Sequence, residues 1–244
     1  MDAVVDAASH VYRPQRTTRQ GEAGAPLRQR DDRVEELLAE WLDAMADHDV
    51  RCVAVLGPSI AEGSGREVWS AFPGNFAAAC EALARSDEYG PHWRERAAPS
   101  MAWQNFDRNR GGGHWSQPWL DRGVTSLVRA DVSGPNGDGY ELFAFISNRL
   151  AARSAAAEIG WSLCNLWPEL RTRLLEQKVG LPAKTREILM LIAREGLTSA
   201  QAAARLAVSE RTIQYHLQVA KQRLGVTAGS REPVILRAAS LGLL

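Results

Sequence analysis

Apolar residues recur at helical spacing near both ends of the chain, with strand-like runs between them. From 31 to 45, Val34, Leu37, Leu38, Trp41, Leu42 and Met45 form one stripe behind Asp31 and Asp32, which predicts an amphipathic helix with one face on a core. Residues 50–56 are almost continuously apolar and predict a buried strand, with a second strand at 67–72 and an alanine-rich helix over 75–85. Residues 123–132 and 140–147 read as two strands. The segment between them, 133–139, has the Ser-Gly-Pro-Asn-Gly-Asp-Gly composition of a hairpin turn. A long helical pattern then runs over 148–177, with a kink expected at Pro168, and 177–181 is expected to be a linker. Residues 1–29 are polar, rich in Arg, Gly and Gln and without a sustained period, so they read as a flexible tail.

The final quarter repeats the helical signal in shorter units. Advancing about 100° per residue from Ile213 places Leu217, Ala220 and Leu224 on the same side. Arg211, Gln214, Tyr215, Gln218 and Gln222 gather opposite, giving one dry face and one hydrogen-bonding face almost free of acids. Ser209 is the expected N-cap, with Glu210 well placed in the first turn. Thr198 and Gln201 have capping-box spacing, so a preceding helix is expected to start there, with Ala203 and Leu206 buried and Val208 closing a tight turn. Two short helices across a tight turn, the second with a polar outer face, have the layout of a helix-turn-helix. The expected partner is double-stranded DNA, since such a face can enter a major groove without repelling phosphate.

Charge divides along the same line. From residue 181 onward there are nine basic residues against four acidic ones, leaving twenty and twenty-five to the rest of a chain whose totals are 29 and 29. A neutral total therefore hides an acidic front and a basic rear, and only the rear suits a polyanion. The element order predicts an α+β protein in two parts. Residues 30–177 are expected to form an α/β/α sandwich of the size of a sensor domain, and 178–244 a small all-α unit carrying the helix-turn-helix.

Few residues point to other chemistry. Cys52, Cys80 and Cys164 have neither metal-like nor redox-like spacing, and the five histidines lack metal-ligand spacing, so no metal and no cofactor are expected. Gly111 to Gly113 lack the Lys-Ser/Thr of a phosphate cradle. No acid/base pair stands out, and no catalytic residue is assigned. His216 flanks the dry stripe and is expected to make a structural hydrogen bond. The charged start of the chain lacks a signal-peptide core, and no run approaches the roughly 20 apolar residues of a membrane span, so a cytoplasmic protein without membrane contact is expected.

The stretch TREILMLIAREGLTSAQAAARLAVSERTIQYHLQVAKQRLGV resembles the DNA-binding module of LuxR-type transcriptional regulators. The likeness lies in Arg186 to Leu189, the Gly196 turn, the Ser-Glu-Arg-Thr entry and the closing Leu224 to Val226. Pro182 stands one place earlier than that family's proline, and the first helix is one residue longer before Gly196. The resemblance implies base contacts from Gln214, Tyr215 and Gln218. It implies backbone contacts from Ser209, Arg211, Thr212 and Lys221, with Thr198 assisting. It also implies a fourth helix over 231–241 at a dimer contact, and a homodimer on an inverted-repeat promoter site.

The front is similar, more loosely, to the autoinducer-binding domain of quorum-sensing LuxR-type regulators, which implies an acyl-homoserine lactone or another small apolar ligand. The Phe72 to Phe76 segment (FPGNF) resembles that family's Tyr-Pro-x-x-Trp, Pro91 its Asp-Pro and Trp103 a later tryptophan. The anchors differ. Phe76 replaces a donor tryptophan, Cys80 a tyrosine and Gly90 an acceptor aspartate, with Tyr89 nearby, while Leu127 replaces a small glycine. These changes imply a divergent or solo member whose front domain either senses an altered ligand or only dimerises. The alternative is a ligand-independent antagonist forming heterodimers with a partner regulator. Trp69, Trp93, Trp103 and Trp115 have two readings, as packing residues or as the lining of one apolar pocket with Phe76, Cys80 and Tyr89.

Overall fold

The computed structural model describes residues 26–60, 66–86, 101–106, 114–133, 139–227 and 229–244. The first helix, α1 (Pro26–Ala44), starts earlier than the apolar stripe suggests and takes in the end of the expected tail. Proline is favoured at a helix start, where its fixed φ suits the first turn and its missing N–H costs nothing. β1 (Val50–Pro58), β2 (Arg66–Phe72), α2 (Ala77–Arg85), β3 (Met101–Asn105), the short α3 (Gln117–Leu120), β4 (Ser126–Ser133) and β5 (Gly139–Ile146) follow, then α4 (Arg153–Lys178). The five strands form one antiparallel sheet in the order β2-β1-β5-β4-β3. β3 and α3 were not legible in the sequence. α4 runs through Pro168 as one element.

Alternation along the strands divides the interior in two. Val53, Val55, Val128, Ala130, Leu142, Ala144 and Ile146 belong to the core shared with α1 and α4, which includes Leu38, Ile159, Leu163 and Leu170. Their neighbours Cys52, Ala54, Leu56, Leu127, Phe143 and Phe145 face the other way and join Phe76, Cys80, Leu83 and Trp119 of the α2 and α3 layer. Helices thus cover both faces of the sheet, which is the expected sandwich. Successive buried residues facing opposite sides is what a strand with no wet face requires.

Four helices close the chain: α5 (Ala183–Glu195), α6 (Ser199–Arg205), α7 (Glu210–Arg223) and α8 (Glu232–Ser240). Gly196 ends α5 at φ 65°, a left-handed conformation that glycine adopts without the Cβ penalty. Ile188, Leu189 and Ile192 of α5, Ala202 and Ala203 of α6, Ile213, Leu217 and Ala220 of α7, and Val234 and Ala238 of α8 form the module's interior. That interior is continuous with the core under α4 through Leu174, Leu175, Val179 and Leu181. Among the described residues, hydrogen bonds also cross from front to rear. Arg171 Nη2 donates to the Leu241 carbonyl at 2.6 Å, and Arg237 Nη2 donates to that of Ser59.

Candidate nucleic-acid interface

α7 is anchored before it presents anything. The Ser209 hydroxyl accepts from the Thr212 N–H at 3.1 Å and lies 2.8 Å from the Thr212 hydroxyl, so the expected cap forms and binds its own first turn. α6 starts at a complete capping box: Thr198 Oγ1 accepts from the Gln201 N–H at 3.2 Å, and Gln201 Oε1 accepts from the Thr198 N–H at 2.9 Å. Each bond satisfies a donor that a helix start otherwise leaves open. Behind α7, Thr185 Oγ1 of α5 lies 2.9 Å from His216 Nδ1, the structural hydrogen bond expected of that histidine. Arg231 Nη1 donates to the Leu197 carbonyl at 2.9 Å, fastening the start of α8 to the turn before α6.

On this support, the residues expected to face nucleic acid lie together. Arg211, Gln214, Tyr215 and Gln218 are exposed, with Tyr215 64% accessible despite its aromatic ring, while Ile213, Leu217 and Ala220 are buried beneath. Thr212 and Lys221 are half-buried, and Ser209 and Thr198 are exposed at their caps. The Gln214 side chain leans toward α6, where its Nε2 donates to Ser199 Oγ at 3.1 Å. Chemically, this face offers amide, phenol and hydroxyl groups for base edges, flanked by cations for phosphate.

The residues expected to line one ligand pocket do not converge. Phe76, Cys80 and Trp115 are buried together on the α2 side of the sheet. Trp69 instead lies in the opposite core, its ring edge-on to Tyr140 at 5.1 Å and its Nε1 donating to the Pro58 carbonyl at 3.0 Å. A register shift between Val55 and Leu56 leaves Trp69 as the extra residue of a bulge, so it faces away from Val68 and Ala71. Trp103 pairs with Val128 on edge strand β3, also on the α4 side, and is 38% exposed. A single pocket lined by Trp69, Trp103 and Trp115 is therefore incorrect, because the sheet separates them. Tyr89 and Trp93, with Gly90 and Pro91, lie outside the described residues.

Trp119, which the sequence did not single out, takes up the space on the α2 side. Its ring stacks on Phe145 at 3.5 Å and on Phe76 at 5.7 Å, and Phe143 continues the series 5.7 Å from Phe145. Leu127 is fully buried in the same layer. At the layer's edge stands an ionic cluster that sequence reading also missed. Arg129, 2% exposed, donates from Nε to Glu141 Oε1 at 2.9 Å and pairs with Asp131, while Arg66 pairs with Glu141 and donates to the Leu83 carbonyl at 3.3 Å. The signal was present, since Leu127, Arg129 and Asp131 alternate on one face of β4 as Glu141, Phe143 and Phe145 do on β5. Pairing the charges needs the strand register, which only the folded sheet supplies.

Among the described residues, no group of three or more metal-ligating side chains comes together, and no helix is long and apolar enough to cross a membrane.

Comparison with known proteins bears on both parts of the chain. Residues 171–224, from the end of α4 through α7, match the Sigma-70, region 4 family. Among solved structures, SdiA in complex with octanoyl-rac-glycerol is similar at a TM-score of 0.50 and 16% identity, over 91% of this chain and 97% of that one. A crystal structure of Escherichia coli SdiA gives 0.44 at 15% identity, over 86% and 91%. The GAF domain of a two-component sensor histidine kinase from Bacillus halodurans gives 0.41 at 7% identity, over 56% and 95%. No curated protein matches the chain. The chain thus shares SdiA's fold, and its residues 171–224 are similar to Sigma-70, region 4.

Proposed function

We propose that the protein is a dimeric transcriptional regulator of the LuxR type, in which residues 178–244 read duplex DNA and residues 30–177 set the geometry of the dimer. The observation that carries this reading is the exposed Arg211, Gln214, Tyr215 and Gln218 face of α7 above a dry Ile213, Leu217 and Ala220 stripe. The fold shared with SdiA, a LuxR-type quorum-sensing regulator, supports it. Two recognition helices would enter successive major grooves about 34 Å apart on an inverted repeat. Ser209, Arg211, Thr212, Lys221 and Thr198 would hold phosphate while Gln214, Tyr215 and Gln218 meet base edges. No catalytic step is assigned, and the protein acts in the cytoplasm, where its DNA is.

For the front domain, the stacked Phe76, Trp119, Phe145 and Phe143 rings favour a regulator that fills with its own side chains the layer where a ligand would insert. Such filling fits a front domain that dimerises, with itself or with a partner regulator, without a ligand. The octanoyl-rac-glycerol bound to SdiA makes an apolar acyl ligand the competing reading. One experiment addresses both parts: promoter-length duplex binding by anisotropy and thermal unfolding, each with and without octanoyl-rac-glycerol and a panel of acyl-homoserine lactones. Binding to duplex with no thermal shift from any of these compounds is expected. A clear shift at micromolar ligand would refute the filled layer, and absence of duplex binding even in dilute salt would refute the regulator.

A further inference from the structure

We propose that Ser199 is a positioning residue for base recognition, holding the Gln214 amide so that it reads adenine; this rests on the DNA-reading role given above for α7. The capping box of Thr198 and Gln201 fixes Ser199 as the first residue of α6, and its hydroxyl accepts from Gln214 Nε2 at 3.1 Å across the helix-turn-helix. Gln214 is otherwise exposed, one helical turn after Arg211 and one before Gln218. A free glutamine side chain on such a surface samples many rotamers, and ordering it on binding opposes affinity. The bond to Ser199 does that ordering within the protein.

The bond also selects what the amide offers. With one Nε2 hydrogen committed to Ser199, a single N–H and the Oε1 carbonyl remain for DNA. Adenine presents one acceptor, N7, and one donor, the N6 amino group, in the major groove, whereas guanine presents two acceptors. The held amide matches adenine and cannot give both N–H groups to guanine. Ser199 thereby sharpens preference at one base pair per half-site without touching the DNA.

The test uses the full chain on duplexes in which the base pair read by Gln214, identified as the one whose preference vanishes in Gln214→Ala, is varied to each of the four possibilities. Wild type is expected to prefer adenine over guanine roughly tenfold, within the range for a bidentate contact. Ser199→Ala should cut that ratio about threefold or more, with the salt dependence of binding unchanged, and Ser199→Thr, which keeps the hydroxyl, should restore it. In a Gln214→Ala background, Ser199→Ala should do nothing further. An unchanged ratio in Ser199→Ala, or a wild-type preference for guanine, would overturn the proposal. So would uniform weakening on every duplex, since that marks a phosphate contact. Failure of the wild type to bind any duplex would instead remove the DNA-reading role itself, and this inference with it.

Discussion

Leu217 and Gln218 are neighbours on α7, yet one is buried and the other exposed, and their substitutions should separate stability from recognition. Leu217→Ala removes buried methyl groups and leaves a cavity, so urea denaturation should show a loss of about 2–5 kcal/mol. Gln218→Ala should leave the unfolding curve within roughly 0.5 kcal/mol of wild type, as surface changes do. Its cost should appear in DNA binding, about 1–3 kcal/mol at one base pair. The cysteines allow a second residue-level test. Burial, and then the neighbouring Cys80, push the Cys52 thiol far above its ordinary ionisation range, and burial also raises Cys164. Cys52 and Cys80 are buried, whereas Cys164 is partly open. A thiol reagent at neutral pH should therefore label Cys164 first and the other two only on unfolding. Equal rates at all three would contradict the packing of the α2 layer. Because the fold holds Cys52 protonated, stability should be unaffected below the ordinary thiol range. It should fall as pH rises beyond that range, where only the unfolded thiol ionises.

The short helix α3 exists to deliver Trp119 into the sheet's α2 face, where three rings stack in succession. Trp119→Ala should lower stability by about 3–5 kcal/mol in denaturant titration. It should also open a cavity that octanoyl-rac-glycerol or indole can enter, so either compound should raise the melting temperature of the variant but not of wild type. A wild-type shift equal to the variant's would mean that the layer already holds room. This arrangement was only partly legible in the sequence. The helices α1, α4 and α7 were legible because each carries a sustained helical pattern of apolar positions, and the caps at Thr198 and Ser209 were legible because capping is local chemistry. β3 was not, because an edge strand of five residues has too short an alternation to stand out, and its Trp103 is partly exposed. The side on which Trp69 packs was not legible because the bulge opposite Val55 and Leu56 sets its facing, which is a property of the pairing with β1 rather than of β2 itself. The Arg66, Arg129, Glu141 and Asp131 cluster joins the β4–β5 hairpin to β2, which is distant in sequence, so its charges could be seen but not paired.

Across the whole molecule, an acidic sandwich and a basic module share one continuous interior, latched by Arg171 to Leu241 and by Arg237 to Ser59. The junction also holds a cavity of about 730 Å³ bordered by Arg33, Glu36, Glu169, Arg173, Glu176 and Arg186. With charge of one sign gathered at the rear, attraction to DNA should fall steeply with salt even though the chain as a whole is neutral. The central claim is that the outer face of α7 reads base sequence, and selection of binding sites from randomised duplex by the full-length protein tests it most directly. The predicted result is an inverted repeat with half-sites about one helical turn apart, whose preferences at defined base pairs are lost in Tyr215→Ala and Gln218→Ala. Recovery of no preferred sequence, or variants that select the same site as wild type, would contradict it.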